Sequence, residues 1–169
     1  HKAAIDYIFR NPIIFEQLTI AEIENIHSIL VDQLDIKLKL RTELVKVGGT
    51  DYVPLDNQHQ IREAMLGMCN LVNRQTNVFI KVFLVLILIS YIQGFKDGNK
   101  RVARIVANGI LIHNGYCPIS FRTVEPFDYK LAMLLFYEQN NISGFKKIFF
   151  EQMEYAVNTY FTVSKKGKQ

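Results

Sequence analysis

The stretch Gln93-Gly94-Phe95-Lys96-Asp97-Gly98-Asn99-Lys100-Arg101-Val102-Ala103-Arg104, QGFKDGNKRVAR, lies between a long apolar run and a second periodic one. That position predicts a loop where one buried helix ends and another begins. A helix start offers backbone N–H groups without intrahelical partners, together with the positive end of the helix dipole, and an anion can use both. Gly98 removes the side chain where a ligand must approach closely, and Asn99, Lys100, Arg101 and Arg104 add neutral or positive donors. A plainer reading makes Asp97 an N-cap and the basic residues a solvated first turn. Cations in a first turn work against the dipole, however, and that conflict favours a phosphate cradle. Asp97 at its lip would face phosphates without repulsion if Mg²⁺ lay between them.

The run Val82-Phe83-Leu84-Val85-Leu86-Ile87-Leu88-Ile89, just before the loop, is apolar on every side but bounded by Lys81 and Ser90. It falls short of the roughly 20 residues a bilayer span needs and predicts a helix at the centre of a fold, running to about residue 91 after Thr76 or Asn77. After the loop, Val102, Ile105, Val106, Ile110 and Leu111 give a helix over 99–114, stopped by Asn114-Gly115. Further out, a short helix is expected over 3–9. Thr19 and Glu22 have capping-box spacing ahead of a helix from about 20 to 34. His27 within it reads as a half-buried structural residue. Asp56 can cap a helix to about 73 with the stripe Ile61, Met65, Met68 and Val72. Thr123 can cap a helix with Pro126 in its first turn that extends to 139, and Ser143 one that reaches about 162. Residues 44–54 alternate around Gly48-Gly49 and end at Pro54, the signature of a short β-hairpin. The unpaired edges of such a ribbon can accept an extended peptide, or the ribbon is a surface hairpin without a partner.

Six or seven helices and one hairpin, with no repeat or linker, predict an all-α single domain over 1–169 with a flexible tail over 164–169. A hydrophobic content of 49%, charged content of 21% and net charge of +4 are ordinary globular values. The positive residues are scattered outside the loop and tail, so nucleic acid is not indicated. The two cysteines, Cys69 and Cys117, have no metal-ligand spacing, and Cys69 lies among apolar residues as a small core residue would. No leader pattern appears, which predicts a cytosolic protein with no membrane attachment, or a piece of one, because His1 is not an initiator methionine.

Phe95, Asp97, Gly98, Asn99, Lys100, Arg101 and Arg104 resemble the motif of the Fic family, which includes the Doc toxins: His-x-Phe-x-(Asp/Glu)-(Gly/Ala)-Asn-(Gly/Lys)-Arg-x-x-Arg. The chain departs from that motif at its first position, where Gln93 stands in place of the catalytic histidine, and Gly94 replaces a common proline. Arg41-Thr42, Val47-Gly48-Gly49 and Tyr52-Val53-Pro54 resemble the segment that leads into the family's flap. The resemblance implies a Fic-type helical bundle with a short β-hairpin flap that transfers AMP from ATP to a hydroxyl of a target protein. It implies ATP and Mg²⁺ as cofactors, with Asp97 on the metal and Gly98, Asn99, Lys100, Arg101 and Arg104 on the phosphates. Gly49, Thr50, Asp51, Tyr52 and Val53 would form the flap on which the target docks. A glutamine amide is not basic in water, so Gln93 could orient a nucleophile but not deprotonate it, and activity would be impaired. A nucleotide-binding pseudoenzyme or regulatory module is the alternative, and a helical domain with a purely structural loop is a third reading. Lys100 resembles the Doc branch, which keeps protein phosphorylation open. The family's inhibitory motif, Ser/Thr-x-x-x-Glu-(Gly/Asn), is not found in the sequence, so inhibition would come from a separate inhibitor protein or another segment. Homo-oligomer formation is left open.

Overall fold

The computed structural model describes residues 1–32 and 39–166. The fold is all-α, with seven α-helices and no strand among the described residues. The chain divides into two compact units, one of His1–Val47 with Val53–Tyr116 and one of Gly48–Tyr52 with Cys117–Gln169.

In the first unit, α1 (Lys2–Arg10) and a 3-10 turn (Pro12–Phe15) precede α2 (Ile20–Val31), α3 (Gln58–Arg74), α4 (Val78–Ile92) and α5 (Asn99–His113). The central pair is α4 against α5; α3 packs on α4, while α1, α2 and the 3-10 turn pack on α5. Buried Val82, Val85, Leu86 and Ile89 line α4, and Val102, Ile105, Val106 and Ile110 line α5. The 3-10 turn reaches α5 because Gly109 leaves a gap: a Cβ there would lie 2.1 Å from the Phe15 ring.

Helix starts follow local chemistry. The Thr19 hydroxyl accepts the Glu22 N–H at 3.2 Å, as the capping-box spacing predicts. Asn77 accepts from Phe79 and Ile80 at 2.9 and 3.2 Å. The cap of α3 is Asn57, not Asp56: its side-chain oxygen accepts from His59 at 2.8 Å and Gln60 at 3.4 Å. Asn57 immediately precedes the helix, where a short side chain reaches the second and third N–H groups. The expected end of α2 at 34 lies outside the described residues.

In the second unit α6 (Pro126–Gln139) packs on α7 (Ser143–Lys166). Phe121, Tyr129 and Phe145 form an aromatic cluster with ring centroids 5.6–6.2 Å apart. Two expected caps are reassigned. Glu125 holds the N-cap position of α6 without a capping bond, and the Thr123 hydroxyl instead donates to Gln152 of α7 at 3.2 Å. Ser143 is the first residue of α7 rather than its cap, and its N–H donates to the Asn141 side-chain oxygen at 3.0 Å. Helix α7 continues past residue 162 through residues 164–166 of the expected tail, and 167–169 lie outside the described residues.

The β-hairpin expected over 44–54 is corrected to an irregular loop. A turn forms at Gly48-Gly49, with Gly49 at φ +84°, but the arms make no ladder. Their polar groups find other partners. Asp51 N–H donates to a Glu138 carboxylate oxygen at 2.8 Å, Tyr52 N–H to the Thr50 hydroxyl at 3.0 Å, and the carbonyls of Glu43 and Leu55 accept from Arg41. A two-stranded ribbon with no sheet to join is marginal in water, so side-chain partners win. No helix among the described residues is long and apolar enough to cross a membrane.

Candidate functional site

The loop between α4 and α5 is held by its own side chains. Gln93 ends α4 in a left-handed conformation, φ 52° and ψ 49°, with its N–H on the Ile89 carbonyl at 3.3 Å. Its side-chain amide donates to the Ser90 carbonyl at 2.5 Å and accepts from the Asn99 amide at 3.1 Å. Asn99, buried at the start of α5, also donates to the Phe95 carbonyl at 2.8 Å and accepts the Phe95 N–H at 2.9 Å. Both Asn99 amide hydrogens are therefore engaged inside the loop, and only its backbone N–H remains for a ligand. The Asn99 side chain closes the loop on itself.

Gly98 is the N-cap of α5 at φ 86°, ψ 1°, a left-handed conformation that favours glycine, and it brings no capping side chain. Gly98 itself therefore offers the first turn of the helix no side-chain acceptor. Asp97 is exposed: one carboxylate oxygen accepts the Gly98 N–H at 2.5 Å and the other takes the Arg101 guanidinium at 2.9 Å. With 62% of the Asp97 side chain and 42% of the Arg101 side chain open to solvent, that ion pair is worth about 0–1 kcal/mol and exchanges readily for a ligand. Lys100 and Arg104 are half-buried on the first two turns of α5.

Beneath the loop, Phe95 points into the core, fully buried, and its ring lies flat against His27 of α2, with centroids 4.0 Å apart and planes 8° from parallel. His27 is not half-buried as expected but wholly buried, and its Nε2 is 3.0 Å from the Asp97 carbonyl. Arg41 is another interior support. Only 1% exposed, it donates to the carbonyls of Gln93 at 2.6 Å, Glu43 at 2.8 Å and Leu55 at 2.5 Å, while its N–H meets the Gly94 carbonyl at 2.9 Å. Neither role has a sequence signal beyond the Fic-like context of Arg41.

Gln93, Asp97, Gly98, Asn99 and Arg101 are thus brought into one bonded loop, with Lys100 and Arg104 on the helix that leaves it. The flap positions Gly49, Thr50, Asp51 and Tyr52 belong to the second unit and Val53 to the first. In the second unit Glu138, which sequence reasoning missed, binds the Thr50 hydroxyl and the Asp51 N–H, and Tyr52 stacks on Tyr137 at 5.3 Å. The Thr50 bond first and the Asp51 bond second hold the Glu138 carboxyl below its ordinary range. No group of three or more His, Cys, Asp or Glu side chains that could hold a metal occurs among the described residues. A single exposed carboxylate beside an uncapped helix start suits Mg²⁺ only when phosphate oxygens and water complete its shell, so Asp97 fits a metal that arrives with a nucleotide.

Comparison with known proteins gives the family and the fold. The profile of the Fic/DOC family matches residues 17–111, more than half of the chain. No curated protein matches the sequence. Among solved structures, Fic-1 from C. elegans is 16% identical with a TM-score of 0.77, over 98% of this chain and 52% of that one, so the chain spans about half its length. The BepC protein, a VirB-translocated Bartonella effector from Bartonella tribocorum with bound AMPPNP, is 12% identical with a TM-score of 0.68, over 89% of this chain and 84% of that one. A Fic domain containing signaling protein from Bacteroides thetaiotaomicron is 18% identical with a TM-score of 0.69, over 89% and 64%.

Proposed function

This chain belongs to the Fic/DOC family, and from that premise we propose that it binds ATP with Mg²⁺ and is built for transfer of AMP to a protein hydroxyl, impaired by Gln93. The observation that carries the reading is Gly98, left-handed and without a capping side chain at the start of α5, between an exposed Asp97 and Arg101. Backbone N–H groups of that first turn would hold phosphate oxygens, with Lys100, Arg101 and Arg104 offsetting their charge. Asp97 would hold Mg²⁺, which supplies charge neutralisation on the phosphates. The AMPPNP bound to BepC supports a nucleotide as the ligand. On the flap, Thr50 and Asp51 would face the target.

One observation favours the pseudoenzyme as second reading. The Gln93 amide is engaged at both ends, on Ser90 and on Asn99, so it secures the loop rather than reaching toward a hydroxyl. Loss of a general base costs about 10²- to 10⁴-fold in rate. Titration calorimetry with ATP and Mg²⁺ should show binding that Arg104→Ala weakens by roughly tenfold or more, as loss of a charge-assisted contact to phosphate implies. Gln93→His should then move label from α-labelled ATP to protein. Binding without transfer selects the pseudoenzyme, transfer of γ-label selects Doc-like phosphorylation, and absence of nucleotide binding defeats the proposal.

A further inference from the structure

We propose that His27 is a positioning residue for the phosphate and metal end of this loop, an inference that rests on the nucleotide-binding reading above. A carbonyl oxygen only accepts, so Nε2, 3.0 Å from the Asp97 carbonyl, must carry the proton. The peptide that His27 holds is the one joining Asp97 to Gly98. In a trans peptide the C=O and N–H point in opposite directions, and the chain has no cis bond. With its oxygen fixed on buried His27, this peptide turns its hydrogen to the other side, where the Asp97 carboxylate receives it at 2.5 Å. One inward hydrogen bond thereby sets the peptide plane and, through it, the outward carboxylate.

The same side chain shapes the next residue. A Cβ on Gly98 would lie 3.6 Å from the His27 ring, so the imidazole forms the floor beneath the left-handed residue that starts α5. The ring is also stacked parallel on Phe95. The ring itself is wholly buried and does not meet solvent. It acts through Asp97 and Gly98, in the manner of partners that orient a metal-ligating group from behind, whose loss costs about 10- to 100-fold in metal affinity.

Two substitutions separate the hydrogen bond from the packing. His27→Phe keeps a ring against Phe95 and removes the donor. His27→Gln removes the ring but can place an amide N–H where Nε2 stands. Calorimetry with ATP, with Mg²⁺ and again with EDTA, isolates the Mg²⁺-linked part of the affinity in both variants and in the wild-type chain. The Phe variant should lose about tenfold or more of that part, and the Gln variant should stay within about threefold of wild type. A purely packing role gives the reverse order, with Gln worse than Phe, and overturns the inference; so does a Phe variant that matches wild type. If the Phe variant does not fold, the Gln variant carries the test alone: retained Mg²⁺-linked affinity supports the donor role, and its loss removes it. Wild-type protein that binds no MgATP defeats the underlying reading and the inference with it, whereas wild-type binding with unaffected variants defeats the inference alone.

Discussion

Arg41 is the residue with the most to hold. Its buried guanidinium serves three carbonyls from separate parts of the first unit, those of Gln93, Glu43 and Leu55. Arg41→Met would leave those oxygens without their donors, at about 1–3 kcal/mol for each that water cannot reach. We expect a total loss of roughly 2–5 kcal/mol, measured as a shift in the denaturation midpoint, with Arg41→Lys recovering only part because an ammonium lacks the planar fork. In the sequence this arginine is visible through its Fic-like context, but nothing there says that it is buried. Asn99 teaches a related lesson. Its residue type suits a phosphate donor, and its three side-chain bonds to Phe95 and Gln93, four and six residues back, are seen only in the folded loop.

Among the elements, the turn that follows Gly48 and the C-terminal end of α6 are joined through one carboxylate. Glu138 accepts from the Thr50 hydroxyl and the Asp51 N–H, and those bonds favour its charged form, which lowers its pKa. A carboxyl whose folded pKa lies below its unfolded value contributes stability that is present above the ordinary carboxyl range and is lost as pH falls through the lowered value. Exchange of the Asp51 amide should accordingly accelerate relative to its intrinsic rate on acidification through that window, and Glu138→Gln should remove the pH dependence. Protection that stays constant with pH, or persists unchanged in the Gln variant, would show that other contacts hold the turn. Apolar runs together with cap and stop signals placed the α-helices, though not the 3-10 turn at Pro12–Phe15, whereas the hairpin failed because alternation over a few residues cannot tell a paired strand from a loop with side-chain partners. Caps were legible to within a residue or two, the range in which neighbouring Asn, Asp, Ser and Thr compete for the same N–H groups.

For the molecule as a whole, the two cysteines give a way to follow unfolding. Burial in α3 pushes the Cys69 thiol up to about 11, so thiolate is scarce at neutral pH and reagent cannot reach the sulfur in the folded state. Cys117 is half-buried in the second unit. Alkylation followed by mass spectrometry should modify Cys117 first and Cys69 only in step with loss of helical signal; early modification of Cys69 would mean that the first unit opens locally. The sequence by itself determined the all-α class, the central apolar helix and the motif at its end, because hydrophobic period, glycine and charge act over a few residues. Tertiary structure alone decided that His27 lies under Asp97, that Arg41 holds Gln93 and that Glu138 holds Asp51. Each of those bonds joins residues far apart in the chain, and their geometry exists only after burial has brought the helices together.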